Sequence, residues 1–261
     1  MAGKNKMLPD KKIIAFDVDG TLTASKCPIT DDMAFLLKEL IKRKVVIAVS
    51  GAKFEQFKTQ FLPPFEQDSS FTPFIHNLKL VTTCGTQRYD YNEIKKEWEL
   101  TDKEPLSEEV KEKVKKLLQG IINSGKYEIP PNPAGEIVED RDTQVTFSAL
   151  GQQAKIKDKS AWDPDQRKRK TIVSVLAPEL PEVSMLINAH SSIDIVPKGF
   201  NKAVGLMRYL NKIGLDKSDM VYIGDALFPG GNDYSIVEAG IQNIAIKGPE
   251  ETELLIKKWI S

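Results

Sequence analysis

Ile13-Ile14-Ala15-Phe16 is a short unbroken apolar run that leads straight into Asp17-Val18-Asp19-Gly20-Thr21. A run of this kind, bracketed by Lys12 and Asp17, has the form of a β-strand buried on both faces. A helical pattern follows over about Asp31 to Arg43, with Met33, Leu36, Leu37, Leu40 and Ile41 on one stripe and Thr30 as its N-cap. Val45 to Val49 reads as a second buried strand. Phe54, Phe57 and Phe61 then recur at helical spacing up to Pro63-Pro64, and Leu80 to Thr83 reads as a third strand. Strands alternating with helices over short connections predict a parallel α/β sheet.

The texture changes near Gln87. Tyr89, Tyr91 and Trp98 flank a polar turn and predict a hairpin, and a charged amphipathic helix follows over about Ser107 to Ile122. Beyond Pro130, Pro131 and Pro133, Glu136 to Glu139 and Gln144 to Leu150 read as antiparallel strands. The second alternates Val145, Phe147 and Ala149 with Gln144, Thr146 and Ser148. A polar stretch, Gln152 to Ser160, precedes a helix with Asp163 as N-cap and Pro164 at its first position. The α/β pattern then returns. Ser192 to Val196, Met220 to Ile223 and Ile244 to Ile246 read as strands, and helices start at Asn201, about Asp233 and Glu250. The expected fold class is α/β. A Rossmann-like parallel-sheet core is expected from residues 1–86 and 191–261, with an α+β domain inserted at 87–190, linked near Cys84 to Gln87 and near Asn188 to Ser191.

The chain has 261 residues, 41% hydrophobic and 28% charged, which excludes bulk disorder. Its 37 basic and 37 acidic residues balance, which argues against nucleic acid or any polyanion bound through net charge. No apolar run approaches the roughly 20 residues of a membrane span, so no membrane partner is expected. Met1 to Lys12 is Lys-rich with no apolar segment after it, and Cys27 and Cys84 are too few for a disulfide framework. These features predict a cytoplasmic protein.

Asp17 and Asp19 alternate at the end of the first strand, so both start near one face at the carboxyl edge of the sheet, where open α/β sheets bind ligands. Two carboxylates this close repel, and a hard divalent cation such as Mg²⁺, shared with phosphate oxygens, relieves them. Asp and Gly also make ordinary turns. Ser50-Gly51, after the second strand, offers a hydroxyl and free amides as an anion cradle, or a simple N-cap. Lys202 sits in the opening turn of its helix, where a cation opposes the dipole at a cost of about 0.3–1 kcal/mol. It either neutralises a phosphate or is a solvated surface lysine. Asp225 ends a buried strand, and Asn232 and Asp233 enter a helix, where capping is the ordinary use of such residues.

At these four segments the sequence resembles the haloacid dehalogenase-like superfamily. Asp17 to Thr21 matches its Asp-x-Asp-Gly-Thr motif, and Ser50, Lys202 and Gly224-Asp225 with Gly231-Asn232-Asp233 match the later motifs in order. The resemblance implies that the inserted domain is a type II cap of the IIB subclass. It implies Asp17 as nucleophile through an aspartyl phosphate and Asp19 as general acid and base. Ser50, Gly51 and Lys202 would bind the phosphoryl group, and Asp17, the Asp19 carbonyl and Asp225 would hold Mg²⁺. Asn232 and Asp233 would support metal and lysine.

The segment from Gly224 to Asp233, Ile193-Asp194-Ile195-Val196-Pro197, and Ile137 to Arg141 look closest to eukaryote-type phosphomannomutases. By that resemblance Arg141 would grip a distal phosphate, and Ser192 and Asp194 would contact the sugar. The mutase cap uses several arginines there. This chain has none around Ala134 and carries Gln152 at another such place, a weaker grip on a dianion. Lys155, Lys157 and Lys159 are the nearest cations to make up the loss. The expectation is therefore a phosphatase acting on a small phosphorylated sugar, with phosphomannomutase as the alternative and a non-catalytic phospholigand-binding protein as the remaining one. The resemblance also implies a homodimer through the cap.

Overall fold

The computed structural model describes residues 10–188 and 190–261, so the Lys-rich opening segment up to residue 9 lies outside the described residues. The elements in chain order are β1 (Ile13–Asp17), α1 (Asp31–Ile41), β2 (Val45–Val49), α2 (Phe54–Gln60), α3 (Pro63–Glu66), β3 (Leu78–Thr82), β4 (Gln87–Asn92) and β5 (Glu97–Lys103). They continue with α4 (Glu108–Asn123), β6 (Val138–Asp140), β7 (Val145–Ser148), α5 (Ile156–Trp162), α6 (Arg167–Leu176), β8 (Val183–Asn188) and β9 (Ser192–Pro197). The last are α7 (Lys202–Lys212), β10 (Met220–Gly224), α8 (Tyr234–Glu238), β11 (Gln242–Ala245) and α9 (Pro249–Ile260).

Two sheets organise them. A seven-stranded sheet runs β11-β10-β1-β2-β3-β4-β5, and a four-stranded sheet runs β6-β7-β9-β8. In the large sheet β11, β10, β1, β2 and β3 are parallel, and β4 and β5 continue it antiparallel. Alternation explains why β1 is apolar throughout. Ile14 and Phe16 pack with α1 and α9 on one face, and Ile13 and Ala15 pack with α7 on the other. Thr30 and Asn201 cap α1 and α7 through side-chain oxygens, as their positions predict.

The small sheet is wholly antiparallel. Val145 and Phe147 of β7 and Ile193 and Ile195 of β9 pack against α4 and α6 in a separate core. Gln144, Thr146 and Ser148 point to the opposite face, as the alternation predicts.

The domain boundaries differ from those expected. The Gln87 hairpin pairs with β3 and belongs to the large sheet, whereas Ser192 to Val196 pairs between β7 and β8 in the small one. Residues 104–106 and 198–201 therefore carry the crossings between the two units, not residues near 87 and 190. An apolar strand needs a neighbour, and its sequence does not say which sheet provides it. Two local readings also change. Part of the polar stretch before Ser160 is helix α5. The N-cap of α6 is Gln166, not Asp163, and the helix starts at Arg167, beyond Pro164, although the Asp163 carboxylate still accepts from the Lys168 and Arg169 amides.

Candidate active site

The register of the large sheet brings four chain segments to one edge. Phe16 pairs with Ile223 and Asp17 with Val49, so Asp17, Gly224-Asp225 and Ser50 all leave the carboxyl ends of adjacent strands. The opening turn of α7 supplies Lys202 from the side, and Asp233 lies just before α8.

Lys202 is the hub. Its ammonium donates to Asp17 Oδ1 at 2.6 Å and to Asp233 Oδ1 at 2.7 Å, and all three residues are buried. Tyr222 Oη donates to the same Asp233 oxygen at 2.6 Å. Burial opposes charge on Lys202, but the two carboxylates outweigh it and hold the ammonium protonated. Burial pushes the Asp17 carboxyl well above the usual carboxylate range despite Lys202, and burial followed by Asp233 raises Asp225. Carboxylate oxygens of Asp17, Asp225 and Asp233 lie within 4.8 Å of one another, a spacing that fits a shared cation. Asp17 Oδ2 is buried and has no hydrogen-bond partner, so one ligand position on that carboxylate is free.

Glycines make the approach feasible. A Cβ on Gly20, at φ +87°, would lie 2.6 Å from Asp225 Oδ2, and one on Gly224 would lie 2.5 Å from Asp233 Oδ2. Asp19 sits beside this cluster. Its Oδ1 accepts from the Lys26 amide at 2.8 Å, and its Oδ2 is 3.5 Å from Ser50 Oγ. Ser50 Oγ also accepts from the Ala52 amide at 3.0 Å.

Residues 14–247 match the sequence pattern of the haloacid dehalogenase-like hydrolases, which spans nearly the whole chain. The chain belongs to this family. It is therefore a phosphotransfer enzyme of the phosphohydrolase and phosphomutase type. The phosphomannomutase of Spinacia oleracea is 29% identical over 229 residues, covering 86% of this chain and 85% of that one. Phosphomannomutase 2 of Dictyostelium discoideum is 28% identical over 254 residues, covering 95% and 96%. Among solved structures, the IMP-nucleotidase of Plasmodium falciparum superposes with a TM-score of 0.68 at 15% identity, covering 97% of this chain and 70% of that one, which is a likeness of fold. No described helix is long and apolar enough to cross a membrane.

A cavity of about 670 Å³ separates this cluster from the small unit. Asp17, Asp19, Ser50, Gly51, Asp225 and Asn232 line its large-sheet side. Arg141, Gln152, Ser192 and Asp194 line the other side, so all the expected rim residues reach one space. Lys202 and Asp233 stand behind it and meet it through Asp17. Arg141 is tied down: it pairs with Glu139 Oε2 at 2.7 Å, donates to the Gly51 carbonyl at 2.9 Å, and reaches Gln152 Oε1 at 3.4 Å. Glu139 also pairs with Lys53 of the large unit at 2.7 Å. Asp194 accepts from Thr146 Oγ1 at 2.7 Å and from the Asn188 side chain and the Cys84 thiol, which hold its carboxylate in place.

Four contributors escaped the sequence reading. Tyr222 lies within an apolar strand, where its hydroxyl is hidden among hydrophobes, and Lys26 lies in a loop with no motif around it. Arg169 stands in the basic run Arg167 to Lys170, yet it is buried, pairs with Asp163 Oδ2 at 2.9 Å and lines the cavity. His190 also lines it, with Nδ1 2.7 Å from Ser160 Oγ.

Proposed function

We propose that this chain hydrolyses a phosphosugar by Mg²⁺-dependent phosphoryl transfer through an aspartyl phosphate on Asp17. The observation that carries this reading is the state of Asp17. One of its oxygens is locked to Lys202, while the other is buried, unpartnered and part of a residue that faces the cavity. A carboxylate so oriented needs little reorganisation to reach phosphorus, and alignment with charge neutralisation supplies most of the catalysis in phosphoryl transfer.

Asp17 and Asp225 would hold Mg²⁺ together with the Asp19 carbonyl, and Asp233 lies close enough to support them. The donor set is all oxygen and partly buried, which fits a hard cation. When bound, the cation would neutralise charge on the phosphoryl oxygens and offset the burial that favours protonated Asp17 and Asp225. Lys202 holds Asp17 in place and faces the charge developing on the transferred group. Ser50 and the amides around Gly51 cradle a phosphoryl oxygen. Attack by Asp17 on phosphorus, breaking the bond to the leaving alcohol, and then attack by water on the aspartyl phosphate, freeing Asp17, split one displacement into two; Asp19, held by the Lys26 amide, protonates the alcohol in the first and takes a proton from the water in the second. Asn232 lies on the cavity wall beside Asp225. Ser192 and Asp194 face the sugar.

The second reading is phosphomannomutase. It is favoured by relatives of that name, similar over almost the full length, and by Arg141 on the cavity wall. Gln152 in place of a guanidinium weighs toward hydrolysis, because a mutase must retain its bisphosphate while it turns over. The deciding experiment supplies Mg²⁺ and a panel of sugar phosphates, mannose 6-phosphate included, and measures inorganic phosphate. Phosphate release supports the phosphatase. Conversion of mannose 1-phosphate to the 6-phosphate only with an added bisphosphate supports the mutase. Neither activity over the panel would overturn both.

A further inference from the structure

The backbone on either side of Gly51 is tied within the large unit. The Ser50 amide donates to the Val81 carbonyl at 2.9 Å, the Ser50 carbonyl accepts from the Cys84 amide at 3.1 Å, and the Ala52 carbonyl accepts from the Thr83 amide at 2.9 Å. The Gly51 carbonyl between them is different. Among the described residues it accepts only from the small unit, from Arg141 Nη1 at 2.9 Å and from Gln144 Nε2 at 3.3 Å. Glycine permits so close a seat: a Cβ on Gly51 would lie 3.2 Å from both Asp194 Oδ2 and Cys84 Sγ. Arg141 lines the cavity. Gln144, by contrast, just precedes β7 and is completely buried. Its Nε2 donates both to Gly51 and to Thr146 Oγ1, at 2.7 Å, and Thr146 in turn donates to Asp194 Oδ1 at 2.7 Å. Its Oε1 is buried with no partner. An orphaned buried acceptor is costly, and an apolar side chain of similar shape would avoid that cost, so packing alone does not account for an amide here. What only the amide supplies is its pair of N–H donors.

A peptide unit is planar, with its carbonyl and the following N–H pointing opposite ways. Holding the Gly51 carbonyl therefore directs the Ala52 N–H, which donates to Ser50 Oγ at 3.0 Å. With Oγ accepting there, the Ser50 hydroxyl proton is left to donate toward the cavity, where Asp19 Oδ2 stands 3.5 Å away. We propose that Gln144 is a positioning residue for Ser50: through the Gly51–Ala52 peptide it sets the direction of the hydroxyl proton that meets the transferred phosphoryl group. The inference rests on the proposed phosphoryl transfer and adds to it a residue that acts only through the cradle. Because Thr146 joins Gln144 to Asp194, one chain of hydrogen bonds links the carboxylate that faces the sugar to the cradle that holds the phosphoryl group. A donor aimed in advance matters most where charge develops, so the loss of that aim falls on kcat more than on KM.

The test is a double-mutant cycle on whichever sugar phosphate the chain turns over fastest with Mg²⁺. Gln144→Met keeps the length of the side chain and removes both donors and the orphaned acceptor. It should lower kcat by about tenfold while KM changes by less than about threefold. Ser50→Ala removes the hydroxyl that Gln144 is held to aim. In that background Gln144→Met should lower kcat further by less than about threefold, because nothing is left to position. A larger further loss overturns the inference, since a merely structural residue multiplies its effect on either background. Unchanged kcat in Gln144→Met overturns it too. Gln144→Leu repeats the cycle should the methionine chain not fold, and failure of both to fold shows a structural role and overturns it. If the unaltered chain turns over no sugar phosphate, the proposed function is what fails. The cradle is then judged by calorimetry with inorganic phosphate and Mg²⁺. Binding about fivefold or more weaker in Gln144→Met, with no such loss between Ser50→Ala and the double variant, supports the inference. Binding that is equal in the unaltered chain and Gln144→Met, or absent from both, refutes it, as does an equal loss on the two backgrounds.

Discussion

The two ends of the cavity carry opposite excesses of charge. At the reacting end three carboxylates, Asp17, Asp225 and Asp233, surround one ammonium, Lys202. At the cap end Lys26, Lys159 and Arg141 face the cavity with Glu139 as the only carboxylate bonded to any of them among the described residues. The first end asks for a cation and the second for an anion. The contrast also separates two kinds of construction. The reacting end is fixed by one sheet edge, whereas the cap end exists only while two units are in contact.

The largest expected effect breaks the reacting end chemically without breaking it structurally. Asp17→Asn removes the nucleophile but leaves an isosteric group that still accepts from Lys202, at a position where burial already disfavours charge. Turnover should fall by at least about a thousandfold, with the folding free energy unchanged to within about 1 kcal/mol. Phosphate release within tenfold of the unaltered chain would remove Asp17 from the chemistry.

Lys202→Met attacks the same end through its charges. It strands Asp17 and Asp233 without their shared counter-ion, both of them buried. Breaking a buried pair by removing one partner costs about 3–5 kcal/mol, so urea unfolding should show a loss of that order along with loss of turnover. An unchanged unfolding midpoint would mean that the network does not hold this edge together.

These two ends were unequally legible. Asp17, Asp19, Lys202 and Asp225 stand in short motifs at strand and helix ends, where residue type, spacing and chain direction place a side chain without knowledge of the rest. The parallel sheet was readable for the same reason, since β1 and β2 are apolar on both faces. Sheet membership was not. β4 joins β3 as well as its hairpin partner β5, while β9 pairs with the distant β7, and the composition of either strand fits either sheet. The cap end depended on that swap. Asp194 reaches Thr146 because β9 pairs with β7, and Lys159 faces the cavity because a polar stretch folds into α5. Lys155, Lys157 and Lys159 were equivalent cations in the sequence, and only the helix selects the third, which is buried while the other two are exposed.

Gly20→Ala tests the geometry at smaller scale. The new Cβ would overlap Asp225 Oδ2, 2.6 Å away, at a backbone φ of +87° that an alanine resists. The expected outcome is about 1–2 kcal/mol of lost stability and a higher Mg²⁺ concentration for half-maximal activity, because Asp225 must move. A displaced carboxylate weakens the metal without touching the nucleophile, so kcat at saturating Mg²⁺ should fall less than in Asp17→Asn. Unaltered Mg²⁺ dependence would take Asp225 out of the metal site.

The last effect belongs to the cap end and is read as a slope in pH. Lys159 titrates at about 7 in the folded chain, below the 10.5 of a free lysine, because burial and Lys26 oppose its charge. Between those two values the unfolded chain binds the extra proton and the folded chain does not. Stability therefore rises with pH across the window, by at most about 1.4 kcal/mol per pH unit from this group. Below about 7 both states are protonated and the slope vanishes, with the full cost of charging the buried amine present there. Lys159→Met has no such group, so the unfolding free energy of the native chain minus that of the variant should climb between pH 7 and 9. A pH-independent difference would mean that Lys159 keeps its charge in the folded chain throughout this range.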